Sequence, residues 1–450
     1  MIGAHDTETM EGVEMNAPTM GRRQPAGRIA RLAATLCVLL AAGACDYFEV
    51  TNPGPVQDKF LDDPASHAAV VNGAARALSD ALNYVAYTTA AITRELFPAG
   101  STSSFGITPR QQQGILAYDD EHVGWTSHHQ ARSIAENGFE RFRRVLEERG
   151  GSIDDYAPAA EIALWAGYAN RLLGENFCQI TIDGGPPISS AEVLGRAEQW
   201  FTTALGIAQR VGNARLANAA HAGRASVRVG LGDWAGADAD ALQVPRDFVF
   251  VMEYHDVELD QYNRIFWAGA GTPYRAHTVW NTVYQQYYLD TGDPRVPWED
   301  TGLQGDAAVM DLGRVPFYRQ LKYTERGADI RLSSGREMAL IHAEHLLRSG
   351  DWQGAIGVIN GLRADVGVAP VSAADATEAW ALLKRERGIE LWLEGRRMHD
   401  LRRWQAENAP GALDTLEVPG EASRLSRNRT LCYDIPKTER ETNPNVPLTP

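Results

Sequence analysis

Long amphipathic stretches, a twice-used Gly-Asp-Trp turn and a single aromatic-rich segment without helical period predict a mainly α fold. Its units are tetratricopeptide-like helical hairpins with irregular loops and short strands inserted among them. The 450 residues are 44% hydrophobic and 22% charged, a globular balance with material for a sizeable core. No long Pro/Gly/Ser linker divides them, so one domain over residues 45–450 is expected.

The N-terminus reads as a secretory leader over residues 1–44, with Met20 a tidier start than Met1. Arg22, Arg23, Arg28 and Arg31 precede an apolar run at 32–42, followed by Gly43, Ala44 and Cys45. The run is short for a bilayer span, and small residues before a cysteine suit a lipoprotein signal peptidase, which leaves Cys45 acylated. Ala42 stands where Leu is usual at that site, and a plain secreted protein is the alternative. Residues 46–63, rich in Asn, Pro and Gly, read as an extended tether.

Helices follow at 66–94, 125–148, 158–173, 191–210 and 217–230, each with apolar residues at three- and four-residue steps, as in Val70, Val71, Ala74 and Leu78. Ala225, Gly232, Asp233, Trp234, Gly236 and Ala237 match Ala343, Gly350, Asp351, Trp352, Gly354 and Ala355 at the same spacing. Each set marks a helix, a tight turn and a second helix, with small residues for close approach and the aromatic in the wedge. Leu173, Gly174 and Phe177 form a looser third copy. The copies are too far apart for a regular solenoid.

Residues 247–332 read as an insertion of loops and short strands. A strand is expected around 248–251, and Tyr and Trp recur among Gly and Pro without period. Helix returns at Ser334 with a Ser-x-x-Glu capping box to Glu337. A further continuous helix is predicted over 378–404, in which Gly388 and Gly395 imply close packing. Residues 405–450 lack periodicity and are expected to wrap the surface.

Net charge is −15, so the field repels nucleic acid and anionic lipid. With Cys37 in the leader and Cys45 as anchor, Cys178 and Cys432 remain, either bridged or as two buried thiols. Glu386, Glu390, Glu394 and Arg397 share one helix face, an arrangement that favours structural ion pairs over the two cleft carboxylates of a glycosidase. His342, Glu344 and His345 have the wrong order for a zinc helix, and His128 and His129, as adjacent helical residues, point apart. Nucleophile elbows, Walker loops and dinucleotide fingerprints do not occur, so no enzyme, metal or cofactor is expected. The chemical clue is Trp267, Tyr274 and Trp280, whose flat faces can stack on sugar rings while amides and carboxylates fix hydroxyls. The alternative is that each packs on the helices beneath.

Several motifs together resemble the SusD/RagB family of outer-membrane nutrient-binding lipoproteins. Residues 386–404 resemble its signature, with Glu394-Gly395-Arg396-Arg397 followed by Asp400-Leu401-Arg402-Arg403-Trp404. Leu340-Ile341-His342-Ala343-Glu344 leads to Gly350-Asp351 and Asn360-Gly361-Leu362-Arg363. Tyr433-Asp434-Ile435-Pro436, Glu439 and Asn443-Pro444-Asn445 match the closing elements, and Thr51-Asn52-Pro53 the opening. Cys178 departs, standing where many relatives have glycine; with Cys432 near the tail, that departure favours a bridge.

The resemblance implies a helical fold and a surface-facing, lipid-anchored protein that covers a SusC-like TonB-dependent outer-membrane transporter. It implies binding of an oligosaccharide or other polymer fragment without bond cleavage, at a site built from the insertion. A loop after an early helix, including Ser101 and Phe105, is also expected to contribute. A helical-repeat scaffold of the envelope and a glycoside hydrolase are the competing readings.

Overall fold

In the computed structural model the described residues are 58–120, 124–270 and 274–450. The leader, Cys45 and the tether up to residue 57 lie outside them. Fourteen α-helices among the described residues carry the fold, which the mainly α expectation anticipated.

The first long helix, α1 (His67–Ile92), buries Val71, Ala74, Leu78, Ala81, Leu82 and Val85 at helical steps. After a one-turn α2 (Pro109–Gln112), α3 (Trp125–Glu148) lies across α1. Next, α4 (Ala157–Asn176) meets α1, α3, α5 (Ser190–Arg210) and α6 (Ala214–Leu231). The stripe expected on α4 widens to every face: seventeen of its twenty residues are buried, as for a helix surrounded by others.

The repeated turns share one construction. Gly232 and Gly350 close their helices at φ 76° and 89°, a left-handed conformation in which glycine carries no Cβ penalty. Asp233 then caps α7 (Trp234–Ala241) by accepting from Gly236 N at 3.0 Å. Asp351 caps α11 (Trp352–Asp365) in the same way at 2.8 Å. A Cβ on Gly236 or Gly354 would lie 2.0 or 2.3 Å from the capping carboxylate, which explains the second glycine of each copy. Ser334 caps α10 (Gly335–Arg348) through Glu337 N at 3.1 Å. Glu337 itself does not complete a reciprocal box, because it pairs with Arg396 at 3.0 Å and accepts from Ser226.

The strands form four antiparallel pairs: β1 (Phe97–Pro98) with β5 (His277–Thr278), β2 (Gln179–Ile180) with β3 (Ile188–Ser189), β4 (Val249–Met252) with β8 (Ile330–Ser334), and β6 (Trp298–Gln304) with β7 (Pro316–Gln320). The insertion also contains α8 (Arg264–Gly269) and α9 (Val283–Thr291), which were not anticipated. Only Tyr284 of α9 is buried, so no apolar stripe marks it in the sequence.

The helix expected over 378–404 is two helices, α12 (Ala376–Glu390) and α13 (Arg397–Ala406). Between them Leu393 and Gly395 take φ 61° and 71°. A Cβ on Gly395 would lie 3.0 Å from Val85 of α1, and one on Gly388 3.0 Å from the Tyr284 hydroxyl. Both glycines mark close approaches.

Residues 405–450 run irregularly over the surface, apart from α14 (Lys437–Thr442). Asn443 and Asn445 donate to the carbonyls of Gly185 and Gly184 at 3.0 and 2.8 Å, and Thr181 donates to Glu439 at 2.7 Å. Cys178 and Cys432 are disulfide-bonded with Cα atoms 5.2 Å apart, and Cys178 N donates to Tyr433 O. Replacing both cysteines with Ser should lower unfolding free energy by about 2–5 kcal/mol, measured by denaturant melts. Equal midpoints for the two proteins would show that the main-chain contacts hold the tail unaided.

Candidate ligand-binding site

The aromatic residues of the insertion are positioned by α1. Asn83 donates to Tyr262 O at 2.7 Å and accepts from Arg264 N at 2.8 Å. Asn263 caps α8 through Ile265 N and Phe266 N and ties the turn to Ala328 O. This short helix presents Trp267, whose ring lies 5.3 Å from Tyr262 and 5.4 Å from Tyr274. Tyr274 stands edge-on to Phe105 at 5.1 Å, and Phe105 meets Tyr87 at 6.1 Å. Two tiers result: Tyr262, Trp267 and Tyr274 are half-buried, while Phe105 and Tyr87 lie beneath, 5% and 0% exposed. Phe105 is therefore the floor under the accessible rings. Arg326, unnoticed in the sequence for want of any local motif, lies 4.9 Å over Tyr262 and 5.5 Å from the Trp267 centroid.

Ser101 adjoins this cluster but is engaged. Its hydroxyl donates to Asp306 at 2.8 Å, and Asp306 also accepts from Ser101 N and Arg275 N. Trp280 is placed elsewhere. The chain passes through the buried β1–β5 pair before reaching it, and its ring packs edge-on against Phe97 at 5.3 Å beside Val309 and Val315.

The carboxylate series divides at the helix break. Glu386 and Glu390 lie on α12, Glu394 in the turn and Arg397 on α13. Arg295 bonds Glu386 at 2.6 Å and Glu390 at 3.1 Å, and Arg363 bonds Glu386 at 3.1 Å. Arg336 grips Glu390 with two bonds of 2.9 Å. Lys322 and Arg331 hold Glu394, each at 2.6 Å. Arg397 turns away to Glu417 at 2.8 and 2.9 Å. Arg387 joins the two helices through Asp400 at 2.9 and 3.0 Å, while Arg403 pairs with Glu344. Burial opposes the charge on Glu390, yet Arg336, Arg331 and Arg295 outweigh it and hold the carboxyl at about 2. These carboxylates are neutralised inside the fold, 1–3% exposed, and do not face one another across a cleft.

Burial drives His128 down to about 4 and His129 to about 3. His342 bonds Asp238 at 2.7 Å. Among the described residues no cluster of three His, Cys, Asp or Glu side chains could hold a metal. None of their helices is long and apolar enough to cross a membrane.

Residues 322–446 match the SusD family. No curated relative matches the chain. Solved structures share the fold. A SusD superfamily protein from Bacteroides vulgatus ATCC 8482 aligns at 16% identity over 86% of this chain and 98% of its own, with a TM-score of 0.60. A SusD-like carbohydrate binding protein from Bacteroides fragilis NCTC 9343 aligns at 14% identity over 87% and 100%, with a TM-score of 0.62. Another from Bacteroides vulgatus aligns at 14% identity over 85% and 97%, with a TM-score of 0.55.

Glu95 offers a test of the break between α12 and α13. It is fully buried, accepts from Leu393 N at 2.8 Å and contacts the Thr93 hydroxyl at 3.1 Å. Burial raises its carboxyl to about 7, against the lowering effect of the Leu393 amide. A folded value above the unfolded 4.5 means that its stabilising share is intact at acid pH and is lost as pH rises through 7. Glu95→Gln should melt near the parent temperature at pH 5 and above it at pH 8. A variant that melts lower at both values would show that the ionised carboxylate is what the turn requires.

Proposed function

We propose that this chain, which carries a SusD-family segment in a SusD-superfamily fold, is a non-enzymatic saccharide-binding lipoprotein of the outer-membrane surface. In this reading residues 1–44 are removed and Cys45 carries the lipid. Residues 46–63 tether one domain, 45–450, whose insertion at 247–332 meets the ligand and whose tail at 405–450 closes the fold. The protein passes oligosaccharide to a SusC-like TonB-dependent transporter.

The observation that carries the binding proposal is the half-buried tier of Tyr262, Trp267 and Tyr274 set on a buried aromatic floor. Flat rings take the apolar faces of pyranoses, and fixed rings lose little entropy on binding. The carbohydrate binding relatives of the same fold support a sugar over a peptide. The arginine-paired state of Glu386, Glu390 and Glu394 supports binding over hydrolysis.

Calorimetric titration of the purified chain with neutral gluco-, manno- and xylo-oligosaccharides, beside product analysis, tests this. One series should bind without being consumed, and Trp267→Ala with Tyr274→Ala should weaken it at least tenfold. Undiminished affinity in that variant would displace the site, and sugar turnover would displace the non-enzymatic reading. Labelling cells with a palmitate analogue should tag the membrane-bound parent and not Cys45→Ala; label on the variant would remove Cys45 as the anchor.

A further inference from the structure

A cavity of about 390 Å³ opens among the first half of α1, the start of α4 and strand β4. Its walls include Trp165, Phe250 and Tyr254, 7%, 2% and 5% exposed. The Trp165 and Phe250 rings lie 5.5 Å apart at 31°. The Tyr254 hydroxyl is occupied, donating to Ser79 O at 2.8 Å, so this ring contributes its apolar surface. The indole N–H of Trp165 is buried and has no hydrogen-bond acceptor, a costly state for a polar group.

The remaining lining mixes the apolar Ala75, Val251 and Met252 with polar side chains of both signs. Arg76 and Arg215 stand with Glu161 and Glu253, and Asn72 and Gln261 add amides. Arg76 is paired with Asp260 at 2.7 Å. Arg215 instead lies 4.9 Å over the Phe250 ring, and its interaction with Glu161 acts through space. Charges of both signs disfavour a multiply charged ligand, while donors and acceptors beside aromatic and aliphatic side chains suit a neutral polyhydroxylated ring. The volume lies near the lower end of small-molecule sites, enough for one or two sugar rings.

The cavity adjoins the aromatic tier. Gln261 lines it, and the next residue, Tyr262, stacks beside Trp267. Helix α1 underlies both: Arg76 and Ser79 line the cavity, Asn83 clamps Tyr262, and Tyr87 lies under Phe105. From Arg76 to Tyr87 the helix rises roughly 16 Å, a span that one sugar chain can bridge.

We propose that this cavity is a second saccharide site, taking one end of a chain whose other part stacks on Trp267 and Tyr274. The inference rests on the saccharide-binding reading and adds a preference for ligand length. It is tested by calorimetry with neutral di- and hexasaccharides of the gluco, manno and xylo series. The proteins are the parent, Trp267→Ala/Tyr274→Ala and Glu161→Gln/Arg215→Ala, each checked for an unchanged melting temperature. The parent should bind a hexasaccharide at least tenfold tighter than the disaccharide of its series, and Glu161→Gln/Arg215→Ala should remove that advantage. With 5-fluorotryptophan incorporated, the Trp165 resonance, assigned with Trp165→Phe, should shift on hexasaccharide addition in the parent. Parent-like hexasaccharide affinity in the Glu161/Arg215 variant, or a Trp165 signal that does not move while sugar binds, overturns the second site alone. A parent that binds no member of the panel overturns both this inference and the saccharide reading.

Discussion

Charge buried without water must be neutralised where it lies, and this requirement ties the insertion to the helical body. Glu386, Glu390 and Glu394 are nearly inaccessible, and the cations that meet them come from two directions. Arg336 and Arg363 belong to the α10–α11 hairpin, whereas Arg295, Lys322 and Arg331 belong to the insertion. Removing all the cations that meet one of these carboxylates would leave a buried charge uncompensated, at a cost of roughly 3–5 kcal/mol. The aromatic tier therefore sits on a segment fastened at three points to α12 and the turn that follows it, and Asn83 of α1 adds a fourth restraint at Tyr262. Such fastening matters to a binding surface, because rings already held in place need not be ordered by the ligand.

Much of the scaffold was legible because its signals are local. The bounds of α3 follow from its apolar steps, and the two Gly-Asp-Trp turns follow from a glycine that must adopt positive φ and an aspartate that must cap. The break between α12 and α13 has no such local signal, for an equally physical reason. Good helix formers on both sides of Leu391 favour continuity, and the opposing influence is tertiary: Glu95, nearly three hundred residues away in sequence, accepts the Leu393 amide and stabilises the turn. Helix α9 leaves no mark in the sequence, because only Tyr284 of it is buried and no apolar stripe results. Only one half of the Ser334 capping box forms, because Arg396 and Ser226 draw the Glu337 side chain away.

The candidate site was legible as residue types and not as a constellation. Trp267 and Tyr274 could be singled out as aromatics in an aperiodic segment, and the structure does bring them together with Phe105. Trp280 carries the same local signature, yet the β1–β5 pair sends it to a different apolar cluster. Arg326 and Asn83 could not be found at all, since what makes them relevant is the partner each meets across the fold. Pairwise packing of this kind leaves no trace in spacing.

The covering of α1 bears on when the fold can close. Trp392 donates to Glu95 O, Gly395 abuts Val85, and Arg94 at the helix end donates to Ser423 O. Part of the cover of α1 is thus supplied by residues roughly three hundred positions further along the chain. A chain exported unfolded, as the proposed leader implies, leaves that flank uncovered until residues 392–395 have followed, so closure around α1 is a late step of folding on the far side of the membrane.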